Sequence, residues 1–145
     1  MLNWSNNKMI GLKSGKVLLC DHQKEWDQEA FKTISLLKNI LGSIIKDIQH
    51  VGSTSISTIK AKPIIDIAIA VDNLENIHQY ENELKKNGFY NRSKNDLKGQ
   101  ILLACGSYYD GTGDIQTHYI HIFQVNSREW IDAINFRDYL RQNIT

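Results

Sequence analysis

The stretch Ile64-Ile65-Asp66-Ile67-Ala68-Ile69-Ala70-Val71, opened by the chain's only proline at position 63, constrains the fold more than any other segment. Its β-branched, nearly unbroken apolar run reads as a strand. One carboxylate interrupts it. A buried, unpaired charge is costly, so Asp66 must have a partner or serve chemistry. Strand alternation puts Asp66, Ala68 and Ala70 on one face and Ile65, Ile67, Ile69 and Val71 on the other. The small alanines leave room beside the carboxylate for a ligand or a covering helix. A buried Asp bonded to backbone amides or to Lys62 is the plainer alternative.

The remaining pattern supplies the neighbours. Lys16 to Cys20 reads as a short strand after an N-terminal arm, residues 1–15, expected to be flexible. Asp21 is placed to cap a helix carrying Trp26, Ala30, Phe31, Ile34, Leu37 and Leu41, stopped by Gly42. A strand through Ile44–Val51 leads to Gly52-Ser53-Thr54-Ser55, and residues 53–62 form a loop or helical turn. Asp72-Asn73 caps a second helix through Leu84, closed by Gly88. Strands follow at Phe89–Arg92, Gln100–Cys105 and 116–125, the last after the turn signal Asp110-Gly111-Thr112-Gly113-Asp114. A helix from about Ser127 to Leu140 ends the pattern. Strands grouped after the first helices predict an α+β fold, a mixed β-sheet with helices packed on one face. Residues 16–145 read as one domain.

Composition narrows the function classes. At 145 residues with a net charge of +1, no bulk field draws the chain to nucleic acid or a membrane surface, although a local basic pocket remains open. No apolar run reaches the length of a membrane span, and no signal peptide is visible. Cys20 and Cys105 are distant and outside any CxxC, which predicts free thiols in a reducing cytoplasm.

Four groups could carry chemistry. Gly52-Ser53-Thr54-Ser55 places a sharp turn and three hydroxyl residues at a strand end, a pattern that cradles phosphate or simply satisfies its own backbone. It is not a Walker loop, because no Gly-Lys-Ser/Thr follows. In Thr117-His118-Tyr119-Ile120-His121 the two histidines face opposite sides of a regular strand, while Tyr119, His121 and Phe123 share a face. His50, at the end of its own strand, is a third candidate for that surface, and His50, Asp66 and His121 together would suit a borderline divalent ion. Arg137 and Arg141, four apart on one helix, could grip a phosphate, or Arg137 could pair with Asp138.

The segments His50-Val51-Gly52-Ser53-Thr54-Ser55, Lys62-Pro63-Ile64-Ile65-Asp66-Ile67, Thr117-His118-Tyr119-Ile120-His121 and Phe136-Arg137-Asp138-Tyr139-Leu140-Arg141 resemble the GrpB family, small proteins with a nucleotidyltransferase-like fold. The likeness runs from about Val17 to Asn143 and is poor over 91–116. Members usually continue into a further helical tail, so a chain stopping at Thr145 is expected to be a shortened member or a fragment. The resemblance implies the nucleotidyltransferase pattern: Gly-Ser at a helix start, then two acids one residue apart on the next strand, holding two divalent cations for attack at an α-phosphorus. Gly52-Ser53 and Asp66 fit, whereas Ala68 stands at the second acid and His121 at the place of a third. The implied function is metal-dependent nucleotidyl or phosphoryl transfer to a small acceptor, with Mn, Zn or Mg, or alternatively a catalytically degenerate nucleotide-binding domain. Asp66 would be catalytic and a metal ligand with His50 and His121. Gly52, Ser53, Thr54, Ser55, Lys62 and Arg137 would hold the nucleotide or other phosphorylated small molecule.

Overall fold

The predicted strand forms over Ile65–Val71, with a neighbouring strand on each edge, and the sheet is built outward from it. The computed structural model describes residues 10–92 and 99–143. In chain order the elements are β1 (Leu12–Lys13), α1 (Lys24–Leu41), β2 (Ile45–Val51), β3 (Ile65–Val71), α2 (Glu81–Lys86), β4 (Tyr90–Asn91), β5 (Gln100–Cys105), α3 (Ser107–Asp110), β6 (Ile115–Gln116), β7 (His118–Gln124) and α4 (Arg128–Asn143). Tight 3-10 turns occupy Gly42–Ile44, Ser53–Ser55 and Leu74–Tyr80.

The main sheet has the order β2-β3-β7-β5-β4. β3 runs antiparallel to β2 and parallel to β7, and the remaining pairs are antiparallel. The sheet is therefore mixed and the fold α+β. The isoleucines of β3 face α1, whose Trp26, Ala30, Leu37 and Leu41 pack on them together with Ile77 and Leu84 from the second helical segment. Each fully buried aliphatic side chain of this kind contributes about 1.5–3 kcal/mol. Asn73 caps the 3-10 turn by accepting from the Glu75 amide at 3.0 Å.

Helices do not keep to one face. α4 lies on the other, where Trp130 packs with Val51, Ala68, Ala70 and Phe123. The small side chains of Ala68 and Ala70 admit this helix.

The N-terminal segment makes defined contacts. Residues 1–9 of the predicted arm lie outside the described residues, but Ile10 and Leu12 are buried, and β1 pairs with β6. The strand predicted at Lys16–Cys20 is absent. Val17, Leu18 and Leu19 are exposed, and only Cys20 forms a bridge, to Ala61. Phe31, named with the helix's apolar residues, is exposed because it lies off the stripe that Trp26, Ala30 and Leu37 present to the sheet. Among the described residues no helix is long and apolar enough to cross a membrane, and both cysteines are free.

Candidate functional site

Asp66 is the second residue of β3, directly across from Val51 on β2 and from Tyr119 on β7. Where β2 ends, the chain must turn over the carboxylate. Gly52 does so at φ 72° and ψ −179°, a region open almost only to glycine. A Cβ there would stand 2.6 Å from Asp66 Oδ2 and 2.9 Å from its Cβ. The Gly-Ser of the turn and the acid of the strand are thus one packed unit.

Ser53, Thr54, Lys60, Lys62 and Asp66 line one cavity of about 670 Å³, with Tyr119 and Gln116 along another wall and Lys16 at the N-terminal side. Three lysines against one carboxylate make it basic, and among the described residues Lys60 pairs with Asp21 at 3.6 Å. A chain of nearly zero net charge therefore concentrates positive charge here.

His121, in register with Ala68, reaches Asp66: its Nε2 lies 3.0 Å from Oδ1, with both side chains a little under one-third exposed. His118 faces the other way, as alternation predicts, and is buried against Glu29 Oε2 at 3.1 Å. Burial holds that imidazole below its usual range, partly offset by Glu29.

Not every predicted member converges. His50 pairs in register with Ile67, so it lies on the α1 face, across the sheet from Asp66. There its Nε2 bonds Thr54 Oγ1 at 2.9 Å and its Nδ1 lies 3.9 Å from Asp27. Burial brings His50 down to about 4, against the raising pull of Asp27, so it is neutral at pH 7. Arg137 is also elsewhere. It is buried, donates to the His50 carbonyl at 3.2 Å, and pairs through Nε and Nη2 with Asp138 at 3.0 and 2.8 Å. Arg141 donates to the Ser55 carbonyl at 3.3 and 3.1 Å. Both arginines brace the turn; neither guanidinium points its charge into the cavity. Ser55 is occupied as well, its hydroxyl on the Gly52 carbonyl at 2.6 Å.

A two-metal arrangement does not fit these residues. Ala68 has no ligating atom and is buried under α4, and among the described residues no group of three His, Cys, Asp or Glu side chains is placed to hold an ion. Of the three predicted ligands, Asp66 and His121 lie together, hydrogen-bonded to each other as one oxygen and one nitrogen donor.

Sequence reasoning missed Lys60 and Lys16, which have no motif, and the partners of Tyr119. Its hydroxyl lies 2.5 Å from that of Tyr109 on α3, which also receives Arg92 and Gln116 at 3.2 Å each. The parity of Tyr119 with His121 was the only available signal.

The family model described as GrpB protein matches residues 16–145. The glutamate-rich protein GrpB of Alkalihalophilus pseudofirmus is 38% identical over 136 residues, which cover 93% of this chain and 77% of that one. The protein YqkA of Bacillus subtilis is 32% identical, over 87% of this chain and 35% of its own length. Among solved structures, GrpB from Enterococcus faecalis superposes with a TM-score of 0.78 at 30% identity, covering 87% of this chain and 73% of that one. Cid1 in complex with its short product ApU gives a TM-score of 0.56 at 17% identity, over 85% and 36% respectively, a likeness of fold alone. A further structure of the Cid1 poly(U) polymerase is bound to MgATP.

Proposed function

The chain belongs to the GrpB family, and from that premise we propose that it binds a nucleotide, or another phosphorylated small molecule, in the cavity between the Gly52 turn and Asp66. The observation that carries this reading is the meeting of Ser53, Thr54, Lys60, Lys62 and Asp66 on the walls of one cavity. Lysine ammonium groups supply point charges for phosphate oxygens, and the small turn residues let those oxygens approach the backbone. Asp66 and His121 are the residues that would hold a divalent cation. Such an ion, when bound, neutralises phosphate charge. Mixed oxygen and nitrogen donors favour Mn²⁺ or Zn²⁺ over Mg²⁺.

A second reading, slow metal-dependent transfer of a nucleotidyl or phosphoryl group to a small acceptor, draws on the same carboxylate. It is supported by Asp66 facing the cavity from a strand end, on a fold shared with Cid1. The single acid and the methyl group of Ala68 weigh toward binding over turnover.

Calorimetric titration with ATP and with inorganic pyrophosphate, with and without Mn²⁺, tests the first reading, and binding at millimolar concentration or tighter is expected. Absence of binding under all four conditions overturns it. Label from α-³²P-ATP appearing on an acceptor would establish the second.

A further inference from the structure

The hydroxyls of Tyr119 and Tyr109 share one short hydrogen bond, and in isolation either oxygen could be its donor. Their surroundings decide which. Arg92 Nη1 and Gln116 Nε2 each donate to the Tyr109 oxygen at 3.2 Å, and Arg92 also stacks its guanidinium over the Tyr109 ring. A guanidinium has no acceptor, and an amide nitrogen only donates. A phenol oxygen offers two lone pairs and one proton. With both Tyr109 lone pairs engaged by nitrogen donors, its proton must go to Tyr119. The Tyr119 oxygen then accepts, and its own O–H is left over.

That O–H has no second partner among the described residues. It belongs to a side chain on the cavity wall, directly across the strand pair from Asp66. Burial pushes the Tyr119 phenol above its ordinary range, so it keeps its proton through neutral pH.

We infer that Tyr119 donates its hydroxyl proton to an anionic oxygen of the ligand in the Asp66 cavity, and that Arg92 and Gln116 position it by fixing the polarity of the tyrosine pair. This rests on the reading of the cavity as a phosphate site and names a donor within it. The chemistry selected is an oxygen acceptor, a phosphate or diphosphate.

Tyr119→Phe and Tyr109→Phe each remove one hydroxyl and break the same hydrogen bond, but only the first removes the hydroxyl assigned to the ligand. Titration with inorganic pyrophosphate should show affinity falling about tenfold in Tyr119→Phe, the effect of one hydrogen bond to a charged group, and changing less than threefold in Tyr109→Phe. Thermal melts of both variants report folding separately. Equal weakening in the two would mean a structural role and overturn the assignment, as would wild-type affinity in Tyr119→Phe. Should Tyr119→Phe fail to fold, lost binding in folded Tyr109→Phe overturns it and retained binding supports it. If wild type itself does not bind pyrophosphate, the cavity reading falls along with this one.

Discussion

Gly52 lies against the Asp66 carboxylate so closely that no other residue fits: the missing methyl group would sit 2.6 Å from Oδ2. Gly52→Ala therefore combines a conformation closed to alanine with a clash against the site's only acid. Destabilisation of roughly 2–4 kcal/mol is expected, read from urea unfolding. Pyrophosphate binding should fall beyond what residual unfolding explains. Unchanged stability would remove the packed turn-and-acid unit.

Asp66→Asn keeps shape and removes charge. Mn²⁺ affinity, followed by the paramagnetic signal of the free ion, should drop at least tenfold, and any nucleotidyl transfer should disappear with it. Transfer supported by Mg²⁺ and surviving in Asp66→Asn would eliminate the proposed role of this residue.

Ala68→Asp is the informative converse, because it restores an acid at the right strand parity. The position, however, is buried with Ala70, Phe123 and Trp130 beneath α4. Burying a carboxylate there should cost about 2–4 kcal/mol and leave it protonated at neutral pH. Lowered stability without a second bound Mn²⁺ is the expected pair of results.

The buried His50 makes stability depend on pH. Its value falls from 6.5 in the unfolded chain to about 4 in the fold, so between those limits the unfolded state binds the extra proton. Its contribution is whole above about pH 6.5, declines as pH falls, and is lost near pH 4, amounting to roughly 3 kcal/mol. His118, lowered by burial in the same way, adds in the same direction. His50→Gln should flatten the slope of unfolding free energy between pH 6.5 and 4 relative to wild type. An unaltered slope would contradict the burial of the neutral ring.

How legible all this was in the sequence depended on the range of the interaction. Alternation alone placed Asp66 with Ala68 and Ala70, and His121 opposite in sense to His118, because strand parity is a local property. The position of His50 depends on register between two strands. Val51, not His50, stands across from Asp66, and a shift of one residue exchanges the faces. Arg137 was a fair phosphate candidate by type, but a carbonyl 87 residues away in sequence claims its guanidinium. The Tyr109–Tyr119 pair joins two elements whose meeting no periodicity encodes.

The placement of α4 bears on how a ligand would be received. Its two arginines hold carbonyls on either side of the Gly52 turn, Arg137 on His50 and Arg141 on Ser55. A single rigid rod thus grips both ends of the loop that walls the cavity. The loop's conformational freedom is surrendered when the chain folds, not when a ligand arrives, so association should carry little ordering entropy and a rapid, single-step approach to equilibrium. The same clamp limits the range of ligand shapes, since a wall fastened at both ends adapts poorly to a bulkier guest.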